Sequence, residues 1–164
     1  SWSSNGQSLL FGSEGPAGWN IYRRDFAGGD SVMVTRAGGL SAQESADGRF
    51  LFFTRPGLPG LWRTALVNGR GEDAEPDQVI PELAGQDRSN WVLQGDRVFW
   101  VMRSGGTALL AESDLATGQS TFITEIPRIS GSGLSISPDG MAILFAQTGE
   151  MTGDLVFIPA RAGL

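Results

Sequence analysis

Five arginines are the residues of this chain best suited to bind a charged ligand. They are Arg36, Arg55, Arg88, Arg103 and Arg128. Arginine is not a residue that turns require, so its presence in loops needs another reason. Several guanidinium groups on one surface offer paired hydrogen bonds to carboxylate or phosphate groups. The sequence therefore predicts a site for a small anionic ligand or an acidic segment of a protein, unless Glu14, Asp87 and Glu150 neutralise the arginines.

Catalytic chemistry is restricted by two absences from the composition. The chain has no Cys, which excludes disulfides, a thiolate nucleophile and a cysteine zinc site. It has no His, the commonest general base and metal ligand, so a Ser-His-Asp triad cannot form within it. A G-x-S-x-G motif is also missing. We therefore expect no catalytic residues, no metal, no cofactor and no enzymatic activity.

The charge balance limits the partners further. The net charge is −6, and all 12 basic residues are arginine. An acidic balance argues against direct contact with nucleic acid, which depends on neutralising phosphates. The sequence contains no run of about 18 apolar residues, the length expected of a transmembrane helix. We expect no membrane span in these residues.

A repeat of 42 to 47 residues organises the whole sequence. Glycines 6, 48, 95 and 140 each lie in a turn, and each turn precedes an apolar, β-prone run. Asn-Gly and Asp-Gly before such a run are strong hairpin signals, because these residues tolerate positive φ angles. The runs that follow, predicted as the second strands of successive units, are 8–11, 50–54, 97–102 and 142–146.

The second half of each unit repeats as well. Further strands are predicted at 19–23, 61–65, 108–111 and 154–158, and final strands at 31–35, 78–80 and 120–124. Four antiparallel strands in a unit of this length are typical of a β-propeller blade. The predicted fold is therefore all-β, an open or partial β-propeller of four blades with four strands each. The blades are placed at about 1–38, 39–83, 84–127 and 128–164.

Blade topology assigns the loops to two opposite faces. Loops after second and fourth strands share one face, which is predicted to hold the five arginines. The opposite face is predicted to hold the aspartates Asp47, Asp73, Asp96, Asp114 and Asp139, most of them turn formers. Four tryptophans at repeated positions, Trp2, Trp19, Trp62 and Trp91, are predicted to pack between blades.

The motif Ser135-Ile136-Ser137-Pro138-Asp139-Gly140, followed by an apolar strand, resembles the signature of TolB-type, WD-repeat-like bacterial propellers. Residues 1–6 and 45–48 carry the same motif with departures, and the copy at 94–96 is the most degenerate. The resemblance covers essentially the whole chain. It implies the propeller fold strongly and a function only weakly, because propellers serve many ends.

Three functions follow from this resemblance. The first is a non-catalytic propeller segment that recognises a protein or ligand, as in the C-terminal sensory region of a membrane-anchored, CadC-like winged-helix transcriptional regulator. The others are the substrate-gating propeller of a prolyl-oligopeptidase-like serine peptidase and a TolB-like periplasmic envelope protein. The expected location is the periplasm, with the cytoplasm as the alternative. The expected structural partners are the remaining blades of a parent chain or a second copy.

The missing catalytic groups give the first testable prediction. The purified chain should show no turnover of p-nitrophenyl esters or fluorogenic peptides, because it lacks a thiolate and an imidazole base. Turnover that survives repeated purification, and that disappears when a Ser or Asp of this chain is replaced, would contradict the expectation.

Overall fold

The structure is a computed structural model that describes residues 1–148 and 153–159. Its regular elements there are fifteen β-strands and one short 3-10 turn, Gly85–Asp87. Within these residues, no helix has the length and apolar character needed to cross a bilayer. The chain divides into two compact units, 1–88 and 89–164, and each unit contains two antiparallel sheets.

The first unit contains strands β1 to β8. The first sheet has the order β1-β2-β3, with β1 at Ser8–Gly15, β2 at Gly18–Asp25 and β3 at Val32–Met33. The second sheet has the order β4-β5-β6-β7, with β4 at Ala42–Glu44, β5 at Phe50–Phe53, β6 at Leu61–Val67 and β7 at Arg70–Gly71. Strand β8, Asp77–Ile80, also pairs with β6.

The second unit contains strands β9 to β15. Its four-stranded sheet joins β9 (Trp91–Gln94), β10 (Arg97–Ser104), β11 (Thr107–Asp114) and β12 (Ser120–Ile126). Its three-stranded sheet joins β13 (Ile129–Ile136), β14 (Ala142–Thr148) and β15 (Gly153–Pro159). Neighbours in both sheets are successive in sequence and antiparallel.

The sequence located the strands correctly. The four predicted second strands correspond to β1, β5, β10 and β14, and every predicted third and fourth strand overlaps an observed one. The uniform four strands per sheet are not observed among the described residues. The first sheet has three named strands plus a single bridge between Trp2 and Leu9, and the last has three.

Burial within each unit follows the two-residue period of the strands. In β1, Leu10 is 2% exposed whereas its neighbour Leu9 is 37% exposed. Because alternate side chains point to opposite faces, Leu10 lies on the face of the first sheet that packs on the second. There Leu10, Ile21 and Val34 meet Ala42, Leu51 and Phe53. The second unit has an equivalent core, formed by Phe99, Val101, Ala108, Leu110, Ile126, Leu134, Ile143 and Phe145.

A hydrogen-bonded turn of one design joins the first and second strands in three of the four repeats. In Ser45-Ala46-Asp47-Gly48, the Ser45 hydroxyl donates to Asp47 Oδ1 at 2.7 Å and accepts from the Phe50 amide at 3.0 Å. Asp47 Oδ1 also accepts from the Arg49 amide. Ser3 with Asn5, and Ser137 with Asp139, make the same bonds. The repeat therefore preserves a complete side-chain network and not merely a turn-forming composition.

The prediction for the tryptophans is partly wrong. Trp91 is 1% exposed, and Trp62 packs against the core of the first unit. Trp2 and Trp19, however, are 59% and 40% exposed. Trp2 bridges to Leu9, so it shares the face of the first sheet opposite to the buried Leu10 side. Equivalent positions in the repeat thus differ in burial.

The turn network predicts a pH dependence of stability. The Ser45 hydroxyl, followed by the backbone and side chain of Arg49, lowers the pKa of Asp47 from 3.8 to about 2. A lowered folded-state pKa stabilises the fold above the ordinary pKa, and this contribution is lost as pH falls from about 4 to about 2. In Asp47→Asn the side-chain oxygen can still accept the turn's hydrogen bonds, as Asn5 Oδ1 does in the first repeat, but the side chain cannot ionise.

We therefore expect the stability advantage of the native chain over Asp47→Asn to shrink steadily between pH 5 and pH 2. Urea denaturation at a series of pH values measures this difference. Asp30→Asn, in the loop before β3, provides a charge-matched control. Parallel stability curves for the native chain and Asp47→Asn would contradict the prediction.

Candidate anion-binding site

Two of the five predicted arginines are held in equivalent settings at the ends of strands. Arg36 ends the sequence Val34-Thr35-Arg36, and Arg55 ends Phe53-Thr54-Arg55. In both, the apolar residue lies in the core and the threonine is buried. The apolar residue anchors the strand end, so the arginine that follows the threonine begins the loop at a fixed position.

The buried threonines fasten these loops by hydrogen bonds. Thr35 Oγ1 accepts the Ile21 amide at 2.9 Å, and the neighbouring Asn20 Oδ1 accepts the Gly38 amide at 3.2 Å. Thr54 Oγ1 donates to the Arg88 carbonyl at 3.1 Å. Buried polar groups that are satisfied in this way restrict the loop backbone. The loops that carry Arg36, Arg55 and Arg88 are therefore tied to the sheets beneath them.

An acidic bulge interrupts the outer edge of the second sheet beside Arg36 and Arg55. Strand β6 pairs with β7 at one end and with β8 at the other, and residues 72–76 arch outward between them. These residues, Glu72-Asp73-Ala74-Glu75-Pro76, are called the acidic bulge below. The Gly71 amide donates to the Val34 carbonyl at 3.0 Å, and a Cβ on Gly71 would lie 2.8 Å from that oxygen. Glycine therefore permits the close approach that starts the bulge.

The acidic bulge supplies the partners of both arginines. Arg36 pairs with Asp73, and Arg55 Nη1 lies 2.9 Å from Glu75 Oε1. The two carboxylates are 78% and 75% exposed, whereas the Arg55 side chain is only 16% exposed. The Arg55 guanidinium also lies over the Trp62 ring, 4.7 Å from its centre, an arrangement that favours a cation. Arg55 is therefore held in place, whereas the Arg36 side chain is 67% exposed, and the carboxylate partners of both arginines face solvent.

A cleft of about 170 Å³ lies under the acidic bulge, lined by Val34, Thr35, Arg36, Phe53 and Thr64 together with the bulge itself. Arg55, which pairs with Glu75 of the bulge, and Trp62, whose ring lies under Arg55, have buried N–H donors, Nε and Nε1, with no hydrogen-bond partner among the described residues. A buried donor without an acceptor is costly.

The remaining predicted residues are distributed over both units. Arg88 follows the 3-10 turn of the first unit, next to the buried Asp87. Arg103 lies in β10 opposite Ala108, and Arg128 occupies the turn between β12 and β13 with a φ of 54°. Glu14 pairs in register with Trp19 in the first sheet, and Glu150 lies outside the described residues. Convergence of all five arginines on one ligand stays a prediction.

The structure corrects the assignment of Asp73. The sequence places it on the opposite face with the turn aspartates, whereas it pairs with Arg36. The reason is the acidic bulge, which leaves the sheet edge part of the way along the fourth strand rather than at a turn. Glu75 is a site residue that the sequence argument missed. The signals available were the charge run at 72–77 and the Thr-Arg pair that recurs after two apolar strands.

Comparison with known proteins identifies the fold. No protein-family model matches the sequence, and no curated protein matches it. Among solved structures, TolB from Acinetobacter baumannii superposes with a TM-score of 0.73 at 23% identity, over 97% of this chain and 39% of that one. A chain of the nidogen/laminin complex gives 0.71 at 12% identity, over 94% and 58%. An oligogalacturonate lyase from Vibrio parahaemolyticus gives 0.62 at 17% identity, over 90% and 44%.

These similarities show an all-β fold of the TolB-like propeller type. The chain spans between about two fifths and three fifths of the length of the matched proteins. At these identities the shared property is the fold, and the matched proteins have different functions.

The acidic bulge should contribute little to folding. Exposed ion pairs contribute about 0–1 kcal/mol each, so Asp73→Asn with Glu75→Gln should lower the free energy of unfolding by no more than about 2 kcal/mol. By contrast, Phe53→Ala should cost about 3–5 kcal/mol, because Phe53 is fully buried. Chemical denaturation measures both, and a larger loss for the double amide variant would show that the bulge is a structural element.

Proposed function

We propose that the chain is a non-catalytic propeller segment that recognises an acidic segment of a partner protein through Arg36 and Arg55. The observation that carries the proposal is the anchored Arg55, with a carboxylate partner 75% exposed to solvent and buried N–H donors beside it. Among the described residues, no group of three or more acidic side chains is placed to hold a metal ion. A half-buried cation whose carboxylate partner is exposed is suited to binding an acidic ligand.

Binding would proceed by exchange of carboxylates. A ligand carboxylate replaces Glu75 on Arg55 or Asp73 on Arg36, and the displaced side chain moves into solvent, which already surrounds most of it. The Arg36–Asp73 pair is exposed on both sides, and in the Arg55–Glu75 pair the carboxylate is exposed, so little is lost when either carboxylate leaves. The pair that forms can be bidentate, which a guanidinium favours. The acidic bulge thus competes with the ligand for the two arginines and lowers the ligand's apparent affinity.

The wider setting of this segment is part of the same proposal. The four sheets would form four blades of an open or partial propeller, completed by further blades or by a second copy. Its place would be the sensory part of a membrane-anchored bacterial regulator, on the periplasmic side. The presence of this fold in a chain of the nidogen/laminin complex supports a role in protein recognition. The fold similarity to TolB favours an envelope protein as the second candidate.

The binding test uses a fluorescein-labelled peptide of ten glutamates, with fluorescence anisotropy as the measurement. The chain carries a net charge of −6, so any affinity must come from a local positive site. We expect binding at about 20 mM salt that weakens by about tenfold or more at 200 mM, because exposed charges are screened. Asp73→Asn with Glu75→Gln should increase the affinity by removing the internal competitor.

Charge reversal identifies the site. Arg36→Glu with Arg55→Glu should abolish binding, whereas Arg49→Glu with Arg97→Glu should leave it largely intact. Both double variants change the net charge equally, and Arg49 and Arg97 are exposed residues outside the site. Equal loss in the two variants would show that only long-range charge matters and would contradict the proposal, as would the absence of binding by the native chain.

A further inference from the structure

A second surface of the first unit has a different chemistry from the arginine site. It is a groove of about 910 Å³ at the end of the sheets where the hairpin turns lie. Residues 5–8, 25–27 and 68–70 line it, together with Trp2, Arg23 and Val32. Its size is in the range of small-molecule sites, which combine an apolar surface with a few placed polar groups.

An aromatic pair forms the apolar part of this groove. The rings of Trp2 and Phe26 are stacked with their centres 4.8 Å apart and their planes at 20°. Both side chains are 59% exposed, the largest exposed fractions among the large apolar residues described. A single exposed apolar residue is ordinary, but two stacked rings at a concave site support each other and leave their outer faces open as an apolar platform.

The backbone around the platform is fixed in advance. The Phe26 amide donates to the Gln7 carbonyl at 3.0 Å. Trp2 lies between Ser1, whose carbonyl accepts the Leu10 amide at 2.8 Å, and Ser3, whose amide donates to the Ser8 carbonyl at 2.9 Å. Both rings are therefore carried by hydrogen-bonded strand ends, and little order has to be created when a ligand binds.

The polar part of the groove consists mainly of side-chain amides. Asn5, Gln7 and Asn68 line it, and all three are exposed. Asn5 Oδ1 accepts bonds from the Ser3 hydroxyl and the Gln7 amide, so the Asn5 NH₂ group is left as a donor to the groove. An amide offers both donors and acceptors, which suits hydroxyl groups because they also do both.

The charges of the groove are nearly balanced. Arg23 pairs with Glu44, which leaves one cation, Arg70, and one anion, Asp25. Asp25 Oδ1 already accepts the Ser8 hydroxyl. This balance does not favour an anionic ligand, in contrast to the arginine site.

We infer that this groove binds a neutral saccharide. The C–H face of a sugar ring would stack on an outer face of the Trp2–Phe26 pair, and its hydroxyls would bond to the amides of Asn5, Gln7 and Asn68. A sugar ring with one C–H face and a rim of hydroxyls matches an aromatic face bordered by amides. The inference is independent of the arginine site, because no residue lines both the groove and the cleft under the acidic bulge.

The test is affinity electrophoresis in native gels that contain a soluble polysaccharide. The acidic chain migrates well, and binding retards it. The neutral panel is dextran, hydroxyethyl cellulose, mixed-linkage β-glucan and glucomannan, with polygalacturonate as the anionic comparison. We expect retardation by at least one neutral polysaccharide and none by polygalacturonate. Failure of the whole neutral panel would overturn the inference.

Variants locate the binding. Trp2→Ala and Phe26→Ala should each weaken retardation by about tenfold, which corresponds to about 1.4 kcal/mol and lies within the range of aromatic contacts. Trp19→Ala removes an exposed indole at the opposite end of β2 and should have no effect. Asn68→Gly retains the positive φ of 51° and removes one amide, so it should weaken binding without harming the fold.

Two results would contradict the inference. One is retardation that persists in both Trp2→Ala and Phe26→Ala, with native circular dichroism spectra. The other is binding of an aromatic peptide, competed by no polysaccharide, at this groove.

Discussion

The packing of the first sheet against the second is the constraint on which both candidate sites depend. Leu10 and Ile21 on one side meet Leu51 and Phe53 on the other, and all four are at most 2% exposed. Burying such a side chain contributes about 1.5–3 kcal/mol, so this contact outweighs any surface ion pair in the unit. Because strand side chains alternate, the same contact determines that Leu9 and Trp2 lie on the other face.

The arginine site shows how a strong apolar contact positions weakly held charges. Val34 and Phe53 are part of the core, and the residues two positions later in each segment are Arg36 and Arg55. The buried Thr35 and Thr54 make hydrogen bonds that leave the loops little freedom. The acidic bulge, in contrast, contributes two carboxylates that are each at least 75% exposed and can move into solvent. A rigid cation beside a displaceable anion is an arrangement suited to reversible recognition.

The two sites differ in the chemistry of the ligands that they suit. In the proposed function, the arginine site would select negative charge, and its own acidic bulge would compete with weak ligands. The groove has aromatic rings and amides with little net charge, so the inferred ligand would be selected by shape and hydroxyl pattern instead. Neither arrangement contains an imidazole or a thiol, since the chain has no His and no Cys. Both depend on loops that extend from sheets of the same unit.

The sequence by itself determined the strands and the turns, because these depend on local alternation and on residues that tolerate positive φ. Ser45, Asp47 and Gly48 specify their turn within six residues, and the same pattern recurs at Ser137 to Gly140.

The sequence also marked Arg36 and Arg55 as candidates. It could not place Asp73 and Glu75 beside them, because that contact joins loops 37 and 20 residues apart. Nor could it distinguish the exposed Trp2 from the buried Trp91, since burial depends on which face of a sheet has another sheet against it. Only tertiary structure decides such contacts.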